Sequence, residues 1–454
     1  MTAELVSTKP TPSAPRAFRF PAFERARLDN GLTVITCDVP GRPLVSMRLV
    51  LEAGAFNEPA DIAGVATLSA RAMTEGSKRF PGIAFAEAAE SIGADVSADP
   101  SWETVTVGAG VSVSRFAEAL ELIAEAALHP EFPDAEIERL KAERLNQIRQ
   151  ADMQPFQRAA RAFYEAAYAQ DSPFHRRVGG SAESVAALTR AHIAGYHQTF
   201  VTPGSATLVI AGDLSGLPVL KLAEQYFGAW RGEEPSRAAP RATTAIRETT
   251  VTIVDRPGSV QTNFIVGHGG IERGHADERA LDVFDTIFGG SFSSRLNQKL
   301  REEKGYTYGA RSAMVAGRIA GPYFCFAPVE TSVTAPAIAD TLETLRGTLD
   351  SGVTQDEVDF ARNYMAGIFA LRFETPEAIA SGIVELVEFG LSDDYFDTYG
   401  PELQRLTVSD IDAAARAHLH PDALAIAMVG DAEKIAEPLR SVGVLSVIEE
   451  GSKA

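Results

Sequence analysis

The side chains that most often carry chemistry are sparse in this sequence and poorly spaced for it. Eight histidines are scattered along the chain. His192 and His197 fall on different faces of a predicted helix, and His418 and His420 straddle a predicted helix end. Each of these four reads as a surface or capping residue rather than a metal ligand. Cys37 and Cys325, the only two cysteines, lie far apart and suggest neither a disulfide framework nor a zinc finger. There is no G-x-S-x-G elbow, no phosphate loop and no H-E-x-x-H. The glycines of Gly289-Gly290-Ser291 are not spaced for a nucleotide turn. On residue type alone, Arg301 reads as a cation at the C-terminal end of a helix, favourable to its dipole. Tyr308 reads as a half-buried strand residue.

The elements that would position any site follow from hydrophobic periodicity. Residues 1–20 are rich in Pro, Ser and Thr and predict a loose arm. ERARL, TVITCDV and VSMRLVLEAG alternate like half-buried strands, with Asn30-Gly31 as the turn between the first two. Helices are predicted from about Asp61 to Met73 and Phe80 to Ile92, and over 114–128, 133–169 and 184–199. ETVTVGAGV and SATLVIAGD read as further strands. The polar, Pro- and Ala-containing stretch 231–244 predicts a linker between domains over 21–230 and 245–454. The second half repeats the first. Residues 187–213 lie over 405–431 without a gap, matching Leu188 to Leu406, Thr189 to Thr407, Pro203 to Pro421 and Gly212-Asp213 to Gly430-Asp431. The expected fold class is α+β: two tandem, similar domains, each a largely antiparallel sheet packed against helices.

Composition sets the outer limits. The chain has 454 residues, 45% of them hydrophobic and 23% charged, which suits a globular protein of at least two domains. A net charge of −19 disfavours nucleic acid as a partner. It says nothing about the local charge of a binding surface. No apolar run approaches the about 20 residues that span a bilayer. The N-terminus has no continuous apolar stretch of the secretory kind, so the cytoplasm is the default compartment, with the periplasm open if a signal was removed.

LDNGLTVI (28–35) followed by LEAGAFNEPADIAGVA (51–66) resembles the N-terminal half of the zinc peptidases that include pitrilysin, insulin-degrading enzyme and the mitochondrial processing peptidase. DSPFHRRVGG, the closing Gly-Asp strand and LREEKGYTYGARS extend the resemblance over about 23–435. The resemblance implies two similar domains in tandem and an inverted zinc motif, H-x-x-E-H, on the helix after Pro59. Two His at i and i+4 would share a face, the Glu between them would activate water, and a distant Glu would complete the site. Here Thr67 stands at the first His, Ala70 at the Glu and Arg71 at the second His. Gln147 stands at the distant ligand, and no carboxylate lies between Leu145 and Ala151. An alcohol, a methyl, a guanidinium and an amide cannot replace that set, so no metal is expected in this chain.

The second half carries a different feature of the same resemblance. Active relatives place an Arg and, seven residues later, a Tyr against the zinc site of another half, and Arg301 and Tyr308 match that spacing. The Tyr hydroxyl would donate to the developing oxyanion and the Arg would hold substrate carbonyls. A helix from about Ser293 to Glu303 and a strand through Tyr308 would present them. The implied function is the non-zinc subunit of a heterodimeric metallopeptidase acting on short or unfolded peptides. It would be inactive alone and complemented by a homologous H-x-x-E-H chain holding the zinc. The alternative is an inert scaffold, like the core proteins of a respiratory complex, or a substrate-presenting subunit. No nucleic acid or membrane partner is expected.

Overall fold

The computed structural model describes residues 17–237 and 239–449. Residues 1–16, most of the arm expected over 1–20, lie outside the described residues. The arm does not run to residue 20: Phe18 and Phe20 pack on Phe369 and Phe373, because two aromatic rings in an otherwise polar segment have apolar surface to bury.

Among the described residues, twelve strands form two six-stranded sheets. The first contains β1 (Glu24–Arg27), β2 (Thr33–Asp38), β3 (Leu44–Leu51), β4 (Ser97–Pro100), β5 (Val105–Ser112) and β6 (Ala206–Gly212), in the order β1-β2-β6-β3-β5-β4. The second contains β7 (Thr250–Asp255), β8 (Gln261–Gly269), β9 (Arg311–Met314), β10 (Pro322–Glu330), β11 (Ala425–Gly430) and β12 (Val444–Glu449), in the order β12-β7-β11-β8-β10-β9. Without the outer strands β1 and β12, the two orders are the same. Pairing is largely antiparallel; the parallel contacts are β2 to β6 in the first sheet, and β7 to β11 and β12 in the second. The segments that align in sequence fold alike. Thr189 and Thr407 each cap a helix (Arg190–Phe200 and Val408–His418) that leads into β6 and β11 respectively.

The central strands are buried on both faces, and their period-two alternation divides them between different cores. Leu208 and Ile210 of β6 join the core of the first half, while Val209 and Ala211 face the other way. That second face is covered by the helix Pro376–Phe389 through Ile379, Ile383 and Leu386, which come from the second half of the chain. The reciprocal arrangement holds in the second sheet. Ala425, Ala427 and Val429 of β11 pack on Ala159, Ala162 and Phe163 of the helix Pro155–Ala167 from the first half. Each half thus lends a helix to the other's sheet. A fully buried Ile or Leu contributes about 1.5–3 kcal/mol, so the exchange holds the two halves together. Arg318 adds a bidentate pair with Glu52 at 2.5 and 2.6 Å across the same boundary.

The expected 133–169 helix is two helices, Asp134–Met153 and Pro155–Ala167, because Pro155 lacks the amide proton that would continue the first. The expected 184–199 helix likewise restarts at the Thr189 cap. Between Phe227 and Thr250 the described residues form no helix or strand, only an isolated bridge from Thr244 to Tyr168. Among the described residues no helix is long and apolar enough to cross a membrane.

Candidate functional site

The segment carrying Arg301 and Tyr308 is pinned at several points. Arg295 forks onto Glu357 with both contacts at 2.7 Å and anchors its start. A short helical turn, Arg295–Asn297, widens into a π-type turn over Gln298–Glu303, a geometry frequent at functional sites. Leu296 and Leu300 are buried in the core beneath. The Gly305 amide donates to the Arg301 carbonyl at 3.1 Å and the Tyr306 amide to that of Leu300 at 2.9 Å, reversing the chain. Gly305 sits at φ +64°, a left-handed conformation that glycine adopts without strain. Asn297, only 2% exposed, then clamps the two limbs together. Its Nδ2 donates to the Phe292 carbonyl at 2.7 Å and its Oδ1 accepts from the Ala310 amide at 3.1 Å.

On this frame the two candidate side chains stand outward. The Arg301 guanidinium lies over the Phe292 ring, 4.5 Å from its centroid, and Phe292 is itself 69% exposed. Tyr308 is 96% exposed. Among the described residues no hydrogen bond or cation–π contact joins Arg301 to Tyr308; they lie on opposite limbs of one clamped loop. The sequence expectation of a strand through Tyr308 is corrected: Tyr308 lies in a bend and β9 begins only at Arg311. Gly305 and Gly309 give the intervening chain no strand partner. Tyr306, by contrast, packs half-buried against the core. Asn297 escaped the sequence reading because nothing distinguishes a clamping Asn from a surface one until the fold is known.

The helix expected from Asp61 spans only Val65–Ala72. Its start is set by Glu58, whose carboxylate accepts from the Gly64 amide at 3.0 Å and the Ala66 amide at 2.7 Å. These amides are among the orphan donors of a helix N-terminus. Gly64, at φ +97°, is pressed against Gly179, where a Cβ would come within 3.0 Å of backbone. Thr67 and Ala70 are buried on this helix and Arg71 is half-buried; among the described residues the Thr67 hydroxyl has no hydrogen-bond partner. Gln147 approaches from the helix Asp134–Met153, but its Oε1 lies 3.4 Å from Nη1 of Arg144. A hydroxyl, a methyl, an amide and two guanidiniums do not fit a divalent metal: the guanidiniums have no free lone pair and repel the ion.

The histidines divide. His192 does cap its own helix through the Thr189 amide. His197 does not sit at the surface: its ring packs on Phe132 and bonds the Ala127 carbonyl at 2.8 Å, and burial pushes it down to about 4. His418 is more than a cap, because its Nε2 meets the Asp277 carboxylate at 2.7 Å beside His275. Ligand atoms of these three residues lie within 4.8 Å of one another. Of the three, His275 lines a cavity of about 760 Å³, where Arg273 is paired with Glu278 and Glu385.

Two family profiles match this sequence. Residues 33–178 match that of the insulinases, peptidase family M16, and residues 187–365 that of the peptidase M16 inactive domain. A Mycobacterium tuberculosis protein described as an uncharacterized zinc protease is 28% identical over 412 residues, covering 89% of this chain and 92% of its own. A Bacillus subtilis protein of the same description is 23% identical over 358 residues, covering 78% and 85%. Among solved structures, a peptidase M16 inactive domain from Pseudomonas fluorescens superposes with a TM-score of 0.84 at 23% identity, covering 90% of this chain and 98% of its own. A Helicobacter pylori protease superposes at 0.82 and 19%, covering 91% and 100%.

Proposed function

Because this chain belongs to peptidase family M16, the pitrilysin and insulinase family, we propose that it is the non-zinc subunit of a heterodimeric metallopeptidase. A homologous partner chain with an intact H-x-x-E-H motif would hold the zinc. This chain would contribute Arg301 and Tyr308 to the partner's site. The Tyr308 hydroxyl donates a hydrogen bond to the oxyanion that forms when water attacks a peptide carbonyl. The Arg301 guanidinium, with its fork of donors, holds substrate backbone carbonyls. Substrates are short or unfolded peptides.

The observation that carries this reading is Tyr308 itself. A tyrosine 96% exposed, on a loop whose limbs are clamped by a buried Asn, presents its hydroxyl to a contact outside its own chain. A scaffold has no use for an exposed tyrosine on such a clamped loop. The residues at 67, 70, 71 and 147 support the division of labour, since they offer neither an imidazole nor a carboxylate. The test is reconstitution. The chain is mixed with the H-x-x-E-H homologue from the same genome and assayed on unfolded peptides. The mixture is expected to cleave and this chain alone to be inert; a mixture no faster than the zinc chain alone would overturn the proposal.

A further inference from the structure

Four arginines converge on a cavity of about 330 Å³ beside the helix Val65–Ala72: Arg144, Arg161, Arg176 and Arg177, with Trp102 and Tyr164 as aromatic walls. The chain as a whole carries −19, so this concentration of cations runs against its background. Three carboxylates act on them, and that of Glu58 attracts both Arg144 and Arg176. Glu165 meets Arg161 at 2.5 Å, and Asp152 meets Arg177. The hydrogen bonds of Arg144 and Arg176 include backbone carbonyls, those of Val178, Gly179 and Glu58. Arg158, almost fully buried, and Arg71 add positive charge from behind, so the cations outnumber their partners. Among the described residues, Nη1 of Arg161 is buried with no hydrogen-bond partner. Burial and the neighbouring guanidiniums hold both Arg144 and Arg161 below the usual arginine range. Guanidiniums crowded together in greater number than their carboxylates repel one another, and an anion entering the cavity relieves that repulsion.

We propose that this arginine-lined cavity binds a carboxylate of a peptide, with the Arg161 and Arg177 guanidiniums as its principal donors and Trp102 and Tyr164 flanking the peptide's apolar part. The choice of a peptide carboxylate over another anion rests on the function proposed above; the cavity's demand for an anion does not. The carboxylate has two sources, an acidic side chain or the C-terminus. Either would place a negatively charged peptide residue next to Arg144, which bonds Gln147 and feels the charge of Arg71, in a chain whose overall charge would otherwise favour basic peptides.

The test is titration calorimetry of this chain alone with three pentapeptides and inorganic phosphate. One peptide is amidated with a central Glu, one neutral with a free C-terminus, and one neutral and amidated. At least one carboxylate peptide is expected to bind about tenfold or more tightly than the neutral amidated peptide, and which one does so identifies the source. Arg161→Gln and Arg177→Gln should each abolish that preference while thermal melts show a folded chain; the comparison among peptides stands on the unaltered chain even if a variant misfolds. Equal binding of all three peptides, or phosphate binding with no peptide preference, overturns the proposal. Since no partner is needed, failure here leaves the reconstitution result untouched, and an inert reconstituted complex leaves this binding result untouched.

Discussion

Replacing Tyr308 with Phe in the reconstituted heterodimer removes one oxygen and almost nothing else. The side chain is 96% exposed. Its loss of a hydroxyl should therefore change the stability of this chain by no more than about 0.5 kcal/mol, the usual range for surface substitutions. An oxyanion donor is worth far more. Removing one raises the barrier by about 2.7–4 kcal/mol, or about 100- to 1000-fold in kcat. The ground-state carbonyl draws little on that hydroxyl, so KM should move by less than about threefold. The assay is steady-state hydrolysis of an unfolded peptide, with melting temperature and heterodimer assembly measured on the same preparations. The expected pattern is a large fall in kcat, a small change in KM and an unchanged melt. An unchanged kcat in a correctly assembled complex would refute the role of Tyr308 and, with it, the reason for calling this chain a catalytic contributor.

Asn297→Ala leaves the Phe292 carbonyl and the Ala310 amide unpaired, so it should destabilise the chain by about 1–3 kcal/mol and lower turnover of the complex without touching substrate; full turnover would show that the clamp does not position Tyr308. Burial pushes the Glu58 carboxyl from 4.5 up to about 7, against the opposing pull of the Gly64 and Ala66 amides. The folded chain then holds that proton more tightly than the unfolded chain, so the stability Glu58 confers is greatest below about pH 4.5 and declines as pH rises through about 7. Relative to Glu58→Gln, which does not titrate, the native chain should lose on the order of 3 kcal/mol across that window; a difference independent of pH in denaturant melts would contradict this. Burial likewise drives Cys37 up to about 11 and Cys325 up to about 12. Neither should react with an aromatic disulfide reagent at pH 8 until the chain unfolds, and rapid labelling of the native protein would show that these strands open.

Much of the architecture was legible because strands and helices announce themselves by period. The hairpin at Asn30-Gly31 and the repeated helix leading into the strands that end at Gly212 and Gly430 were readable from residue type, whereas the restart at the Thr189 cap was not. The break at Pro155 was missed because proline is well tolerated in the first turn of a helix, so the segments on both sides keep a helical pattern. The exchange of helices between halves left no trace in the sequence. Ile379, Ile383 and Leu386 make the same apolar stripe whichever sheet they cover. Tyr308 was assigned to a strand on local pattern, yet Gly305 and the Asn297 clamp override it. The convergence of Arg144, Arg161, Arg176 and Arg177 needs two helices and a loop to meet, and no spacing in the chain foretells that.

The central claim is that this chain lends donors to a reaction whose metal it does not hold. Elemental analysis of the purified chain after exposure to zinc and desalting, alongside a peptide hydrolysis assay on the same sample, tests it most directly. The account predicts zinc well below one equivalent and no hydrolysis until the H-x-x-E-H partner is added. One tightly held zinc per chain with turnover in the absence of any partner would contradict it.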